Sequence, residues 1–282
     1  MTCVQKQSIL VATDLDGTLL DHFSYSWESA KPSIDALLSL GIQIVINTSK
    51  TFSEVVDLQT ELNLNAPFIV ENGSAIYTPN KDSTDAFERF DNKYSRVVLG
   101  TQRAEVVAKV YALRKKHQWL FEGYSDWDVN KIIEHTGLDE ISAAKSCQRQ
   151  FSEPLIWQDS DANYRAFCAA IRDANLRIIR GGRFIHILGQ CNKGSSLLEL
   201  NTLSENAENR PLLVCLGDSY NDLDMLEIAD IPVFVRSPVH DFPAHDCINT
   251  PIFTTAYGPE GWDEAITQLL HTYSNSNSNS NN

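Results

Sequence analysis

Apolar residues gather early in the chain into short runs bounded by glycine, proline and polar clusters. Residues 8–13, 42–47 and 67–70 are such runs and read as buried strands. Between them, 31–40 and 52–62 carry apolar residues at helical spacing. In the first of these Ile34, Leu37 and Leu38 share a face, Pro32 suits the first turn, and Gly41 ends the element. This β-α-β-α-β rhythm predicts a parallel sheet covered by helices.

The middle of the chain, 83–189, has another texture. Segments 103–117 and 161–175 read as helices, and 155–157, 176–180 and 184–188 as strands. The last two flank Gly181-Gly182, a hairpin-like turn. Helices beside antiparallel strands predict an α+β insert. The first rhythm then returns, with a helix at 193–203, a strand at 212–216, a helix at 221–229 and a strand at 232–235. The expected architecture is α/β: a Rossmann-like, doubly wound parallel sheet with an inserted cap. Residues 1–82 and 190–272 would form the core, 83–189 the cap, and 273–282, rich in alternating Ser and Asn, a disordered tail.

Composition narrows the function. The chain has 282 residues, 43% of them hydrophobic, enough for a substantial core. Its net charge of −14 argues against nucleic acid as a partner. An acidic surface also repels anions, so an anionic substrate needs local cations or a metal at its site. Six cysteines lie at 3, 147, 168, 191, 215 and 247, none with CxxC spacing, which suits a reducing compartment. Cys215, inside an apolar run, reads as a small core residue. The N-terminal apolar run is too short for a signal peptide, and no stretch approaches a membrane span. A cytoplasmic protein is expected; its oligomeric state is not legible.

Sites in doubly wound sheets form beyond the carboxyl ends of the strands. The first strand is followed by Asp14-Leu15-Asp16-Gly17-Thr18, the second by Thr48-Ser49-Lys50 and the third by Glu71-Asn72-Gly73. The late strand is followed by GDSYND, with Asp218 and Asp222. Asp-x-Asp-Gly alone is ordinary turn chemistry. Four polar clusters at one rim are not, and carboxylates that converge there call for a cation. Hard oxygens suit Mg²⁺. Asp14 and Asp218 are the expected direct ligands, and Asp16 contributes its backbone carbonyl. Asp222 is a ligand or, with Asn221, supports the ligands; it could equally be a first-turn acid favoured by the helix dipole.

Such a carboxylate can attack phosphorus. Asp14 would form an aspartyl-phosphate. Asp16 would protonate the leaving oxygen and then deprotonate the hydrolytic water. Thr48 would hold a phosphoryl oxygen. Lys193 or Lys50 would neutralise the transferring group; Lys193 gains weight because Gly194 and the helix start favour an anion.

These residues, in this order, resemble the haloacid dehalogenase-like phosphatases. DLDGT, Thr48, a Lys and GDSYND match the four motifs of that superfamily. The insert after the third strand is similar to the Cof-type subclass with a large α/β cap. TSKT at 48–51 stands where most Cof-type relatives read TGR. With VENGSAIY at 70–77, IRGGRFIHIL ending at Leu188 and GPEGW at 258–262, it resembles the mannosyl-3-phosphoglycerate phosphatase family, from about residue 8 to 270. Ser74 departs from the Gly or Ala expected after ENG, and it is small enough to do no harm. The resemblance implies Asp14 as nucleophile, Asp16 as acid and base, and Mg²⁺ on Asp14, Asp16 and Asp218. It implies hydrolysis of 2-O-mannosyl-3-phosphoglycerate to mannosylglycerate, a compatible solute.

That substrate carries a phosphate, a carboxylate and a sugar. The carboxylate needs its own cation, for which Lys50 or Arg183 are the candidates; the other reading of Arg183 is a solvated hairpin flank. Ser49, Asn72 and Gly73 complete the expected substrate contacts. Asp159, His186, Glu71 and Asn72 are candidates for the sugar hydroxyls, although His186 alternates within a strand and reads first as a half-buried histidine. Trp127 and Trp157 could stack on the sugar or simply pack. Competing activities are a phosphatase for glucosyl-3-phosphoglycerate or sucrose phosphate, a phosphomutase, and a non-catalytic phosphosugar-binding protein. The last should lack Asp14 or Asp16, and both are present.

Overall fold

The computed structural model describes residues 8–181, 183–203 and 210–279. Gly182, half of the expected hairpin turn, lies outside the described residues. The elements run β1 (Ile9–Thr13), α1 (Lys31–Ser39), β2 (Gln43–Asn47), α2 (Phe52–Glu61), β3 (Phe68–Val70), β4 (Ala75–Pro79), β5 (Glu88–Arg89) and β6 (Tyr94–Val98). There follow α3 (Arg103–His117), β7 (Phe121–Gly123), α4 (Val129–Thr136), α5 (Glu140–Ser146), β8 (Glu153–Trp157), α6 (Asp161–Asp173), β9 (Arg177–Arg180) and β10 (Ile185–Leu188). The chain closes with α7 (Lys193–Leu203), β11 (Leu212–Gly217), α8 (Leu223–Glu227), β12 (Ile231–Arg236), β13 (Ile252–Tyr257) and α9 (Gly258–Asn279). These divide into two compact units, 1–47 with 204–282, and 48–203.

The first unit holds a parallel sheet in the order β13-β12-β11-β1-β2. Its strands are continuous apolar runs because helices cover them. Val11, Ala12, Val45, Cys215 and Leu216 have at most 1% exposure, so Cys215 is the core residue expected of it. Ile34 and Leu37 of α1 and Trp262 of α9 are buried as well. Thr13 pairs with Leu216, so β1 and β11 deliver the residues after them to the same edge.

The second unit contains the α+β insert. Strands β3-β4-β6-β5 pair antiparallel. A second antiparallel sheet has the order β7-β8-β10-β9. Val106 and Val110 of α3 and Phe167 and Ile171 of α6 pack with Phe121, Leu155 and Ile187 of that sheet. The fold is therefore α/β, a Rossmann-like doubly wound sheet with an inserted cap.

Two local expectations change. Residues 221–229 were expected as one helix; the chain instead makes a 3₁₀ turn over Tyr220–Asp222 and then the short α8. A 3₁₀ turn brings the Asp222 side chain back onto its own loop, as described below. At the other end, α9 runs to Asn279 and takes in part of the 273–282 tail expected to lack structure. Extending an existing helix costs far less than starting one. No helix of the described residues is long and apolar enough to cross a membrane.

Candidate active site

In the first unit two loops meet at the carboxyl end of the parallel sheet. The N–H of Asp14 still donates to Leu216 O across the strand pair (3.0 Å). Beneath it, Trp262 Nε1–H donates to Thr13 Oγ1 (3.0 Å), and the Thr13 hydroxyl donates to Asp14 O (2.8 Å). The backbone carrying Asp14 is thus fixed by the ladder on one side and a buried tryptophan on the other. The chain then turns tightly: the N–H groups of Thr18 and Leu20 both donate to Leu15 O. Gly17 takes φ +84°, and a Cβ there would stand 2.6 Å from Asp218 Oδ2. Both the backbone conformation and the approach of Asp218 require glycine.

The second loop follows β11. Asp218 accepts from Thr18 Oγ1 (3.3 Å), and its other oxygen lies 3.3 Å from His240 Nε2. That contact holds the His240 imidazolium above its usual range. Asp222 Oδ2 accepts from the N–H groups of Asp218 (3.1 Å) and Ser219 (3.0 Å), so one of its oxygens organises the loop. Asp14, Asp218 and Asp222 are at most 5% exposed. One carboxylate oxygen from each lies within 4.8 Å of the others. At that spacing each pair repels by about 3 kcal/mol at an effective dielectric of roughly 20. An all-oxygen, buried donor set of this charge fits a hard divalent cation such as Mg²⁺. Asp16, two residues after Asp14, is half-buried and forms a bridge with Leu20.

In the second unit Thr48, Ser49, Lys50, Asn72 and Gly73 are drawn together. Thr48 N–H donates to Ile69 O (3.0 Å) and Thr48 O accepts from Asn72 N–H (2.9 Å). Lys50 N–H donates to Thr48 Oγ1 (3.2 Å), and Lys50 Nζ pairs with Glu54 Oε1 at 3.6 Å. Three successive residues, Glu71, Asn72 and Gly73, take positive φ of 47°, 57° and 93°. The two non-glycine residues each cost roughly 1–2 kcal/mol in that region. Glu71 offsets the strain. Its buried carboxylate accepts from the N–H groups of Gln150 (2.8 Å), Phe151 (3.1 Å) and Ser152 (2.9 Å) and from Ser152 Oγ (2.7 Å). The Ser74 hydroxyl donates to Glu71 O (2.7 Å), so the departure from Gly or Ala closes the same turn. Gly73 lies against the start of α7: a Cβ there would meet Asn192 O at 2.2 Å. One residue on, Lys193 is fully buried.

The remaining candidates are spread through that unit. Arg183 is exposed on the β9–β10 hairpin, and its guanidinium donates to Thr136 O. Trp157 packs on Phe167 at 4.9 Å between ring centres, within the cap core. Trp127 donates to Glu122 Oε2 (3.0 Å). Asp159 accepts from Leu120 N–H (3.1 Å). His186 is buried, and its pKa is pushed down to about 3, first by burial and then by the charges of Arg149 and Lys193. An unfolded chain takes a proton on this histidine near pH 6.5 and the folded chain does not. Stability should therefore fall as pH drops through that range, by about 2 kcal/mol at pH 5 from this group alone. Urea midpoints at pH 7 and 5 for the wild type and His186→Gln check this. An equal loss in the variant would show that His186 is not the group responsible.

Two residues of these loops went unread in the sequence. His240 follows β12, and the rule applied to the other strands, to read what comes after each, would have found it. Arg149 follows α5, a helix for which no pattern was read.

Comparison with known proteins bears on this arrangement. A family model for haloacid dehalogenase-like hydrolases matches residues 11–240. The chain is 31% identical over 263 residues to a glucosyl-3-phosphoglycerate/mannosyl-3-phosphoglycerate phosphatase of Methanococcoides burtonii, covering 93% of this chain and 97% of that protein. It is 34% identical over 269 residues to a phosphatase of the same description from Persephonella marina, with the same coverage. A haloacid dehalogenase-like hydrolase structure from Bacteroides thetaiotaomicron shares the fold with a TM-score of 0.63 at 18% identity, over 93% of this chain and all of that one. With its paired aspartate loops on a Rossmann-like sheet, this chain belongs to the haloacid dehalogenase-like hydrolases and is a phosphatase, a phosphoric monoester hydrolase, of the same family as those two relatives.

Proposed function

We propose that the protein hydrolyses 2-O-mannosyl-3-phosphoglycerate to mannosylglycerate and phosphate, with the glucosyl ester as the alternative substrate. The observation that carries the chemistry is the buried cluster of Asp14, Asp218 and Asp222. The substrate rests on the two relatives that match nearly the whole chain. A Mg²⁺ ion held by Asp14, the Asp16 backbone carbonyl and Asp218, with Asp222 a ligand or a support for them, would supply charge neutralisation between two anions.

The chain's own groups do the rest. An Asp14 carboxylate oxygen forms a bond to phosphorus as the ester P–O bond breaks, giving an aspartyl-phosphate. Asp16 gives its proton to the leaving oxygen. It then takes one from the water that attacks phosphorus and releases Asp14. Thr48 contributes its hydroxyl to a phosphoryl oxygen, its N–H being taken up by Ile69 O, and Lys193 contributes positive charge. Lys50, Ser49, Asn72, Gly73 and Arg183 serve the glycerate and sugar. Residues 83–189 act as the specificity cap on the core of 1–82 and 190–272. The substrate is a small phosphorylated sugar-glycerate, and the product a compatible solute made in the cytoplasm; neither nucleic acid nor membrane is a partner.

Phosphate release from the mannosyl and glucosyl esters, with Mg²⁺ and with EDTA, tests the reading. Metal-dependent release from either supports it, and the ratio of the rates names the sugar. Turnover of other phosphate esters alone would keep the phosphatase and overturn the substrate.

A further inference from the structure

The second unit buries an arginine that the roles above do not use. Arg149 lies just after α5 and is held from several sides. Its Nη1 donates to Ser49 O (3.1 Å), one residue from Thr48, and to Ser152 Oγ (2.9 Å). Its guanidinium lies over the ring of Tyr124, 5.2 Å from the ring centre. Only 6% of its side chain is exposed, yet Nε, itself buried, has no hydrogen-bond partner. The nearest acid, Glu71, is 4.0 Å away and already accepts four hydrogen bonds from residues 150–152. His186 is the second such group. It is 5% exposed, its Nδ1 is buried without a partner, and it feels the charge of Arg149.

A buried arginine fixed through one nitrogen, with another donor open, is built to receive a planar anion. Beside a neutral imidazole, the anion that matches is a carboxylate. We propose that Arg149 is the specificity-determining residue for the glycerate carboxylate of the substrate, with His186 beside it. The assignment rests on the phosphoglycerate reading above. It places the carboxylate's cation in the stretch that also pins the Thr48 loop. Arg183, by contrast, is exposed and donates to Thr136.

The test is a ratio. The kcat/KM is measured for 2-O-mannosyl-3-phosphoglycerate and for the same ester with a hydroxymethyl group in place of the carboxylate. Wild-type enzyme should favour the carboxylate by about 100-fold or more, the scale of a buried charge-assisted pair. In Arg149→Met that preference should fall at least about 30-fold, chiefly through KM for the carboxylate ester. A merely structural role would lower both substrates alike and leave the ratio standing, and that result would overturn the proposal. Should the Met variant be insoluble, Arg149→Lys carries the same ratio, since a lysine keeps the charge and loses the fork. A wild-type enzyme without preference would instead overturn the phosphoglycerate reading itself.

Discussion

Asp14→Asn is expected to lower phosphate release by about 10⁴-fold or more and to leave the protein folded. The amide matches the carboxylate in size, and the bonds that fix its backbone, to Leu216 O and through Thr13 to Trp262, involve no carboxylate oxygen. What disappears is the oxygen that attacks phosphorus and one charge of the cluster with Asp218 and Asp222. Single-turnover phosphate release beside a far-ultraviolet circular dichroism spectrum separates chemistry from folding. A folded variant that keeps activity within tenfold of wild type would remove Asp14 from the role of nucleophile.

Gly73→Ala should be the most damaging single methyl group in the second unit. At φ +93° any side chain is strained, and the Cβ would stand 2.2 Å from Asn192 O and 2.3 Å from Ser196 Oγ. The backbone conformation costs roughly 1–2 kcal/mol. Overpacking against a main-chain carbonyl that cannot swing away adds about 1–3 kcal/mol. A loss of roughly 2–5 kcal/mol follows. Gly137→Ala is the control: φ is +74° and nothing lies within 4 Å of its Cβ, so only the backbone term applies, about 1 kcal/mol. Urea midpoints compare the two, and equal losses would refute the close packing of Gly73 on α7.

The parallel strands and the aspartate loops were legible because their signals are local. An apolar run that ends in Asp14-Leu15-Asp16-Gly17 announces both a strand and its chemistry within a dozen residues. The bounds of α3 and α7 could be read to the residue. Strand β4 was missed because Ala75–Pro79 is buried on both faces and shows no alternation. Helices α4 and α5 were missed because each spans only about two turns; their caps, Asp128 and Asp139, and the i, i+3, i+4 spacing of Val129, Ile132 and Ile133 are the signals that could have shown them. Arg149 illustrates a harder limit. Nothing adjacent marks a surface arginine from a buried one, and its partners lie 100 residues away at Ser49 and three away at Ser152.

The pairing of β1 with β11 also bears on how the chain acquires its structure. Ile9 faces Leu212, so the central contact of the parallel sheet closes a loop of about two hundred residues. Residues 48–203, by contrast, are contiguous. On a ribosome they emerge complete while β1 still lacks its neighbour β11. Local contacts form quickly and distant parallel pairing slowly. The inserted unit should thus mature first, and the aspartate cluster should form only after it, because Asp218 and Asp222 follow β11, the strand that must find β1 across that loop.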